Sequence, residues 1–267
     1  MGKSIFKKTK IGIIGAGRVG TSLAVSFDKR KTALAFYSNH YSGEISGVKA
    51  LNFEEFVKFA DIIIIAVKDS KIASTVERLK RAKLQDKIIF HLSGFHSSEI
   101  LKPIGNDNVI GSFHPILPFT EKYSNIKSKK FYADIEGDSL FVKKVRAIFK
   151  DFKRLTMFEV NPDDKPILHL SLTLISNYPL YIVGAGKEIL GQVVCKTLMR
   201  EISGSLLRHS FENYINFGNI SGPLERKENE LINDELSSLE KGELKKIIDD
   251  IIKLSKRIKE YLDGVKR

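Results

Sequence analysis

Residues 10–26 read KIGIIGAGRVGTSLAVS, and this stretch decides the fold. An apolar β-rich run, KIGII, enters Gly15, Ala16, Gly17, Arg18, Val19 and Gly20, and helical periodicity continues through TSLAVSF. In a strand-turn-helix setting the first glycine permits the tight turn, the second lets a pyrophosphate approach the backbone, and the third lets helix and strand pack closely. The helix N-terminus offers unbonded N–H groups and about half a positive charge to phosphate. GxGxxG alone is weak evidence; the context makes dinucleotide binding the expected role.

Working outward, ALAFYS, DIIIIAV, KIIFHL and NVIGSF read as further strands, with helical stretches at 19–29, 53–59, 70–80 and 97–101 between them. DIIIIAV has no polar alternation, as expected of a strand covered on both faces. The pattern predicts an α/β fold, a Rossmann-type mostly parallel sheet with helices on both sides. KFYADIEG, a helix at 139–150 and RLTMFEV extend the sheet edge. After Asn161 long helical periodicities take over. NPDDKP supplies caps and first-turn prolines, so a helix is expected to start between Asn161 and Pro166, kinked at Pro179, with others at 192–217, 227–239 and 242–264. Residues 1–160 are therefore expected to form the dinucleotide-binding domain and 161–267 an all-helical second domain.

The 267 residues, 42% hydrophobic, suit two globular domains. Cys195 is the lone cysteine, so no internal disulfide or cysteine-held zinc is possible, and a reducing cytoplasm is the expected location. No signal peptide or membrane span is expected. The net charge of +12 is spread among acidic residues and forms no basic stripe interleaved with aromatics, so nucleic acid is not an expected partner.

The second strand should end near the acid that an NAD enzyme places on its ribose, about 20 residues past the motif. Ser38, Asn39 and His40 stand there, and the first acid is Glu44. With no carboxylate to repel a 2′-phosphate, and Arg18 in the turn, NADP is favoured over NAD; no arginine follows the strand. Two more strand ends carry polar groups: KIIFHL runs into Ser93 and Gly94, and NVIGSF into His114 and Pro115. His91, Ser93 and His114 could border a nicotinamide. Equally, His91 could be a hydrogen-bonded core residue and His114 a turn cap.

At 100° per residue, Lys165, His169, Thr173 and Ser176 share one stripe of the next helix, with Asn177 beside it and apolar residues covering the rest. Such a helix is expected to be buried, its stripe facing a ligand cleft or a polar network between helices. The histidine spacings match no metal site.

The pieces IGIIGAGRVGTSLA, AVKDSKIA, HLSG, GSFHPILPF, DDKPILHLSLTLISNYPL and ISGPLER, in this order, resemble a family of NADP-dependent oxidoreductases. That family joins a Rossmann-like domain to a helical C-terminal domain of unknown function. Its wider relatives are pyrroline-5-carboxylate reductase, ketopantoate reductase and the β-hydroxyacid dehydrogenases. The resemblance implies hydride transfer to or from a small-molecule substrate, a C-terminal domain like that of 6-phosphogluconate dehydrogenase, and a homodimer formed through the helical domain. It also implies that Ala66, Val67 and Lys68 border the cofactor beside Ser93 and Gly94. Recurrent polar positions fall on His91, Ser93, His114, Lys165, His169, Ser176, Asn177, Gly222, Pro223 and Arg226. Where relatives often continue Gly-Pro as Arg-Gly-Asp, this chain has Arg226, Lys227 and Glu228. The resulting expectation is an oxidoreductase with His169 or Lys165 as acid or base, Ser93 and Asn177 orienting the substrate, and His114 at the border. The alternative is a non-catalytic dinucleotide-binding protein.

Overall fold

The computed structural model describes residues 8–39, 42–45 and 47–265. Chain contacts divide it into two compact units, 1–171 and 172–267, so the division falls further along than 160, inside a helix. The first turns of that helix are tied to the sheet unit by a buried ion pair at Lys165.

In the first unit a seven-stranded sheet has the order β2-β1-β5-β6-β7-β8-β9. The strands are β1 (Thr9–Ile14), β2 (Thr32–Tyr37), β5 (Ile62–Ile65), β6 (Ile88–His91), β7 (Val109–Ile116), β8 (Phe131–Gly137) and β9 (Leu155–Glu159). Pairing is parallel except between β7 and β8. A short hairpin, β3 (Glu44–Ile45) and β4 (Val48–Lys49), leads to a parallel bridge between Ala50 and Phe36, a remnant of a strand outside β2. Chain order reverses direction across the sheet at β1 and β5, which opens a crevice at their carboxyl ends.

The four isoleucines of β5 are all buried, as its unbroken apolar run requires. On one face Phe90 and Phe113 pack with Phe141 and Phe149 of α4 (Ser139–Ile148) and its C-cap, beneath α1 (Arg18–Ser26). On the other, Ile63, Ile65 and Ile89 meet Phe56 of α2 (Phe53–Phe59), Val76 and Leu79 of α3 (Ile72–Arg81), and Leu101 and Ile104. The helix expected at 97–101 is a 3-10 helix over Ser98–Ile104, with Pro103 inside it.

The expected kink at Pro179 is a full break. α5 (Lys165–Ser176) stops, Asn177 takes φ −111°, and α6 (Tyr178–Leu190) begins with the proline in its first turn. Helices α7 (Lys196–Phe217), α8 (Asn229–Ser237) and α9 (Glu243–Val265) complete the second unit. The expectation that the apolar helix is buried is overturned: Ile175 is 68% exposed and Tyr181 72%, with Leu174, Leu180 and Ile182 also exposed. All-round apolarity requires a cover, and the described residues leave this face exposed. Pro162–Leu190 is long and apolar enough by composition to cross a membrane, although its helix is interrupted at Asn177.

Candidate active site

The glycine turn is shaped by close backbone approach. Gly15 has φ +108°, and a Cβ there would lie 2.5 Å from the Ala66 carbonyl oxygen; a Cβ on Gly20 would lie 2.3 Å from that of Gly15. Gly17 differs, because a Cβ there would meet nothing within 4 Å. It is the N-cap of α1, with no side chain capping the helix and no acid in the first turn. The N–H groups of that turn therefore have no intrahelical acceptor, and a bare helix N-terminus of this kind suits a diphosphate. Arg18 is exposed beside it, and Ala16 and Val19 are half-buried.

Strand register brings the other sequence-predicted residues to the same edge. Ile14, Ile65, His91 and Ser112 form one row across β1, β5, β6 and β7. Gly15, Ala66 and Leu92 follow at the carboxyl ends, with Val67, Lys68, Ser93 and Gly94 next. Ser38 and Asn39 follow β2; His40 lies outside the described residues.

His91 is fully buried. Its Nδ1 lies 3.2 Å from the Ser93 N–H and its Nε2 3.1 Å from the Ser97 carbonyl oxygen. That pairing makes Nε2 the protonated nitrogen of a neutral ring. Burial pushes its pKa down to about 4, against the partial support of the Ser97 carbonyl. The ring thus ties the Ser93–Gly94 loop to strand β6. Because the unfolded chain takes up a proton near pH 6.5 and the folded chain only near 4, stability should fall as pH drops through that window. The expected loss is about 3 kcal/mol. Urea unfolding between pH 7 and 4 reads it, and His91→Gln should flatten the slope; an unchanged slope in that variant would assign the loss to other groups.

Ser93 is almost fully buried, and its Oγ accepts from the N–H groups of Phe95 and His96, which leaves its own proton to donate. Gly94 allows the next contact: a Cβ there would sit 2.6 Å from both His114 Cε1 and His169 Cδ2. The two imidazoles meet edge to face with ring centroids 5.8 Å apart.

His114 lies within β7, directly opposite Asp134 on the antiparallel β8. Its Nδ1 is 2.6 Å from Asp134 Oδ2, and Lys165 Nζ is 2.7 Å from Oδ1. Asp134 and Lys165 are both fully buried, and His114 is half-buried. Burial alone would raise the Asp134 pKa, but the His114 hydrogen bond and the Lys165 charge outweigh it and hold the carboxyl below its usual value. As an ionised acceptor, Asp134 fixes the proton of His114 on Nδ1. His169, half-buried one helical turn beyond Lys165, has its pKa lowered by burial first and by the His114 charge second.

A second cross-strand pair, Ser112 with Glu136, continues this polar row. Glu136 is buried and accepts from the Ser98 N–H and hydroxyl, each at 2.6 Å, and from Ser112 at 3.2 Å, anchoring the 3-10 helix. Sequence reading missed Asp134 and Glu136. Their spacing of two in KFYADIEG puts both on one strand face, but only the register with β7 shows what they oppose.

Lys165, His114, His169, Ser93 and Gly94 thus converge within the first unit. Asn177 and Ser176 belong to the second, where both are exposed; the Ser176 hydroxyl donates to the Leu172 carbonyl. Arg226 is clamped by Glu228 at 2.8 and 2.9 Å in its own loop. Among the described residues no group of three or more His, Cys, Asp or Glu side chains could hold a metal ion.

The sheet order and glycine turn define the class: a Rossmann-like protein. Residues 4–115 match the Rossmann-like domain family, and residues 131–253 match a domain of unknown function, DUF2520. The chain therefore joins a Rossmann-like domain to a DUF2520 domain. No curated protein sequence matches it significantly. Among solved structures, a Bacteroides fragilis protein provisionally assigned as an NADP oxidoreductase is 18% identical, with 94% of this chain and 97% of that chain covered and a TM-score of 0.75. A Thermotoga maritima protein is 21% identical, covering 96% and 100%, at 0.63. The pyrroline carboxylate reductase of Plasmodium falciparum, with NADP bound, is 17% identical, covering 95% and 92%, at 0.61. At these identities the likeness is one of fold.

Proposed function

We propose that the protein is an NADP-dependent oxidoreductase that moves hydride between NADP(H) and a small carbonyl, imine or hydroxy compound. The observation that carries this reading is the adjacency, on one sheet edge, of an uncapped glycine turn and an imidazole cluster backed by a buried carboxylate. The names of fold neighbours, which include an NADP oxidoreductase and a pyrroline carboxylate reductase, support it.

The dinucleotide, when bound, supplies the hydride chemistry. Gly15, Gly17 and Gly20 with the first turn of α1 would hold the diphosphate. Ala66, Val67 and Lys68 would border the cofactor, and the free proton of Ser93 would donate to a carboxamide or substrate oxygen. His169 exchanges the proton at the reacting heteroatom. Its lowered pKa makes it neutral at pH 7, ready to accept a proton from a hydroxy compound; carbonyl reduction needs the protonated ring and is favoured at lower pH. Lys165, fully buried on Asp134, positions the cluster, and His114 passes the carboxylate's influence to the His169 ring.

The test is NADPH oxidation with a panel of small carbonyls and imines, comparing wild type with His169→Asn. Wild type should turn over a panel member. The variant should lose about 10²- to 10⁴-fold in turnover while keeping its NADPH affinity. Stoichiometric NADPH binding without hydride transfer to any panel member would favour a non-catalytic sensor, and retained turnover in the variant would move the proton to another group.

The exposed apolar face of α5 and α6 is covered by a second copy in a homodimer, and the lone exposed Cys195 suits a reducing cytoplasm. Sedimentation should give twice the 30.1 kDa chain mass, and Ile175→Asp should shift it toward one. A wild-type monomer, or a chain that needs detergent, would refute this cover.

A further inference from the structure

The carboxyl end of β2 carries a cation that the local sequence does not announce. β2 ends at Tyr37, and Asn39, two residues on, accepts hydrogen bonds from the Tyr37 hydroxyl and from Arg78 Nη1, the latter at 3.0 Å. Arg78 comes from α3, on the far side of the switch point. Its guanidinium lies 4.8 Å from the Tyr37 ring centroid and 4.4 Å from that of Phe53. Two aromatic faces and an amide oxygen thus fix the plane of an exposed arginine. Among the described residues no carboxylate lies within ion-pair distance of it. A concavity of about 450 Å³ is lined by Tyr37, Ser38, Asn39, Ser42 and Asn52; Arg78 is not in its wall but is bonded to Asn39, which is, and lines a second concavity with Phe53, Glu54 and Glu77.

We infer that Arg78 reads the ribose 2′-phosphate and makes the site selective for NADP(H) over NAD(H). This rests on the dinucleotide reading above and adds the residue that sets its selectivity. The ribose hydroxyls of a bound dinucleotide are recognised just past the second strand, where an acid selects NAD and a nearby arginine accommodates the 2′-phosphate. Here the acid is absent, and Asn39 holds the arginine at that point. One of the five guanidinium donors is committed to Asn39; the others, which bond to no other described residue, can form a fork for phosphate oxygens. The aromatic pair keeps that fork from collapsing onto the protein surface, so little rotamer freedom is lost when phosphate arrives.

Dissociation constants for NADPH, NADH and 2′,5′-ADP on wild type, Arg78→Gln, Arg78→Lys and Arg81→Gln test the assignment. Wild type should prefer NADPH. Arg78→Gln should weaken NADPH and 2′,5′-ADP by about 10- to 100-fold and leave NADH within about twofold. Arg78→Lys should fall between, and Arg81→Gln, three residues further along α3 and bonded to neither Asn39 nor Tyr37, should match wild type. Equal weakening of both dinucleotides would reduce Arg78 to a brace for Tyr37 and Phe53 and overturn the assignment. An unchanged NADPH constant, or a wild type indifferent to the 2′-phosphate, would overturn it as well. If wild type binds neither dinucleotide, the oxidoreductase reading fails and takes this assignment with it.

Discussion

Asp134→Ala should destabilise the protein by about 3–5 kcal/mol, more than any other single change at the site. The carboxylate accepts the Lys165 ammonium at 2.7 Å and the His114 ring at 2.6 Å, and both Asp134 and Lys165 are sealed from solvent. Deletion leaves an ammonium in the interior with no counter-charge. That cost exceeds the net worth of the pair, because two charges had to be desolvated to make it. Asp134→Asn should cost nearly as much despite its shape, since the charge is what Lys165 lacks. Combining Asp134→Leu with Lys165→Met removes both charges and should recover much of the stability. The doubly substituted chain would fold with His114 no longer fixed on Nδ1, so its turnover should stay low. Urea midpoints at pH 7 check the series. An Asp134→Ala chain within about 1 kcal/mol of wild type would show that Lys165 finds another partner or sheds its proton.

The parts of this fold that sequence could disclose are those set by local physics. Glycines 15, 17 and 20 between a strand and a helix, four consecutive isoleucines, and NPDDKP before a long periodicity each report on their own neighbourhood. His114 and His169 could be named as polar residues at places where polarity needs a reason, but not as partners. Their meeting depends on Gly94, which looks like an ordinary loop glycine until a Cβ is placed on it. Asp134 was out of reach because its meaning comes from antiparallel register with β7, where the parallel pattern breaks. Arg78 was out of reach for a similar reason. The search for a cation at the end of β2 runs along the chain, whereas this one arrives from α3. The exposure of α5 and α6 was misjudged because apolarity demands burial without saying which chain supplies the cover.

Gly17→Val should abolish dinucleotide binding without disturbing the fold, and it separates the two roles that glycine plays in the turn. At Gly15 or Gly20 any side chain strikes backbone, so loss of binding there would be confounded with loss of structure. Gly17 has extended backbone, φ −79° and ψ −174°, open to every residue type, and its Cβ direction is clear of protein atoms. The two valine methyls would occupy the space through which a diphosphate approaches the N–H groups of Arg18, Val19 and Gly20. NADPH titration of wild type and Gly17→Val, with melting temperatures measured alongside, is therefore the most direct measurement. The account predicts saturable binding by wild type, a loss of about 100-fold or more in the variant, and melting temperatures within about 2 °C of each other. Equal NADPH affinity in the two proteins would contradict it, because the diphosphate would then lie somewhere other than this turn.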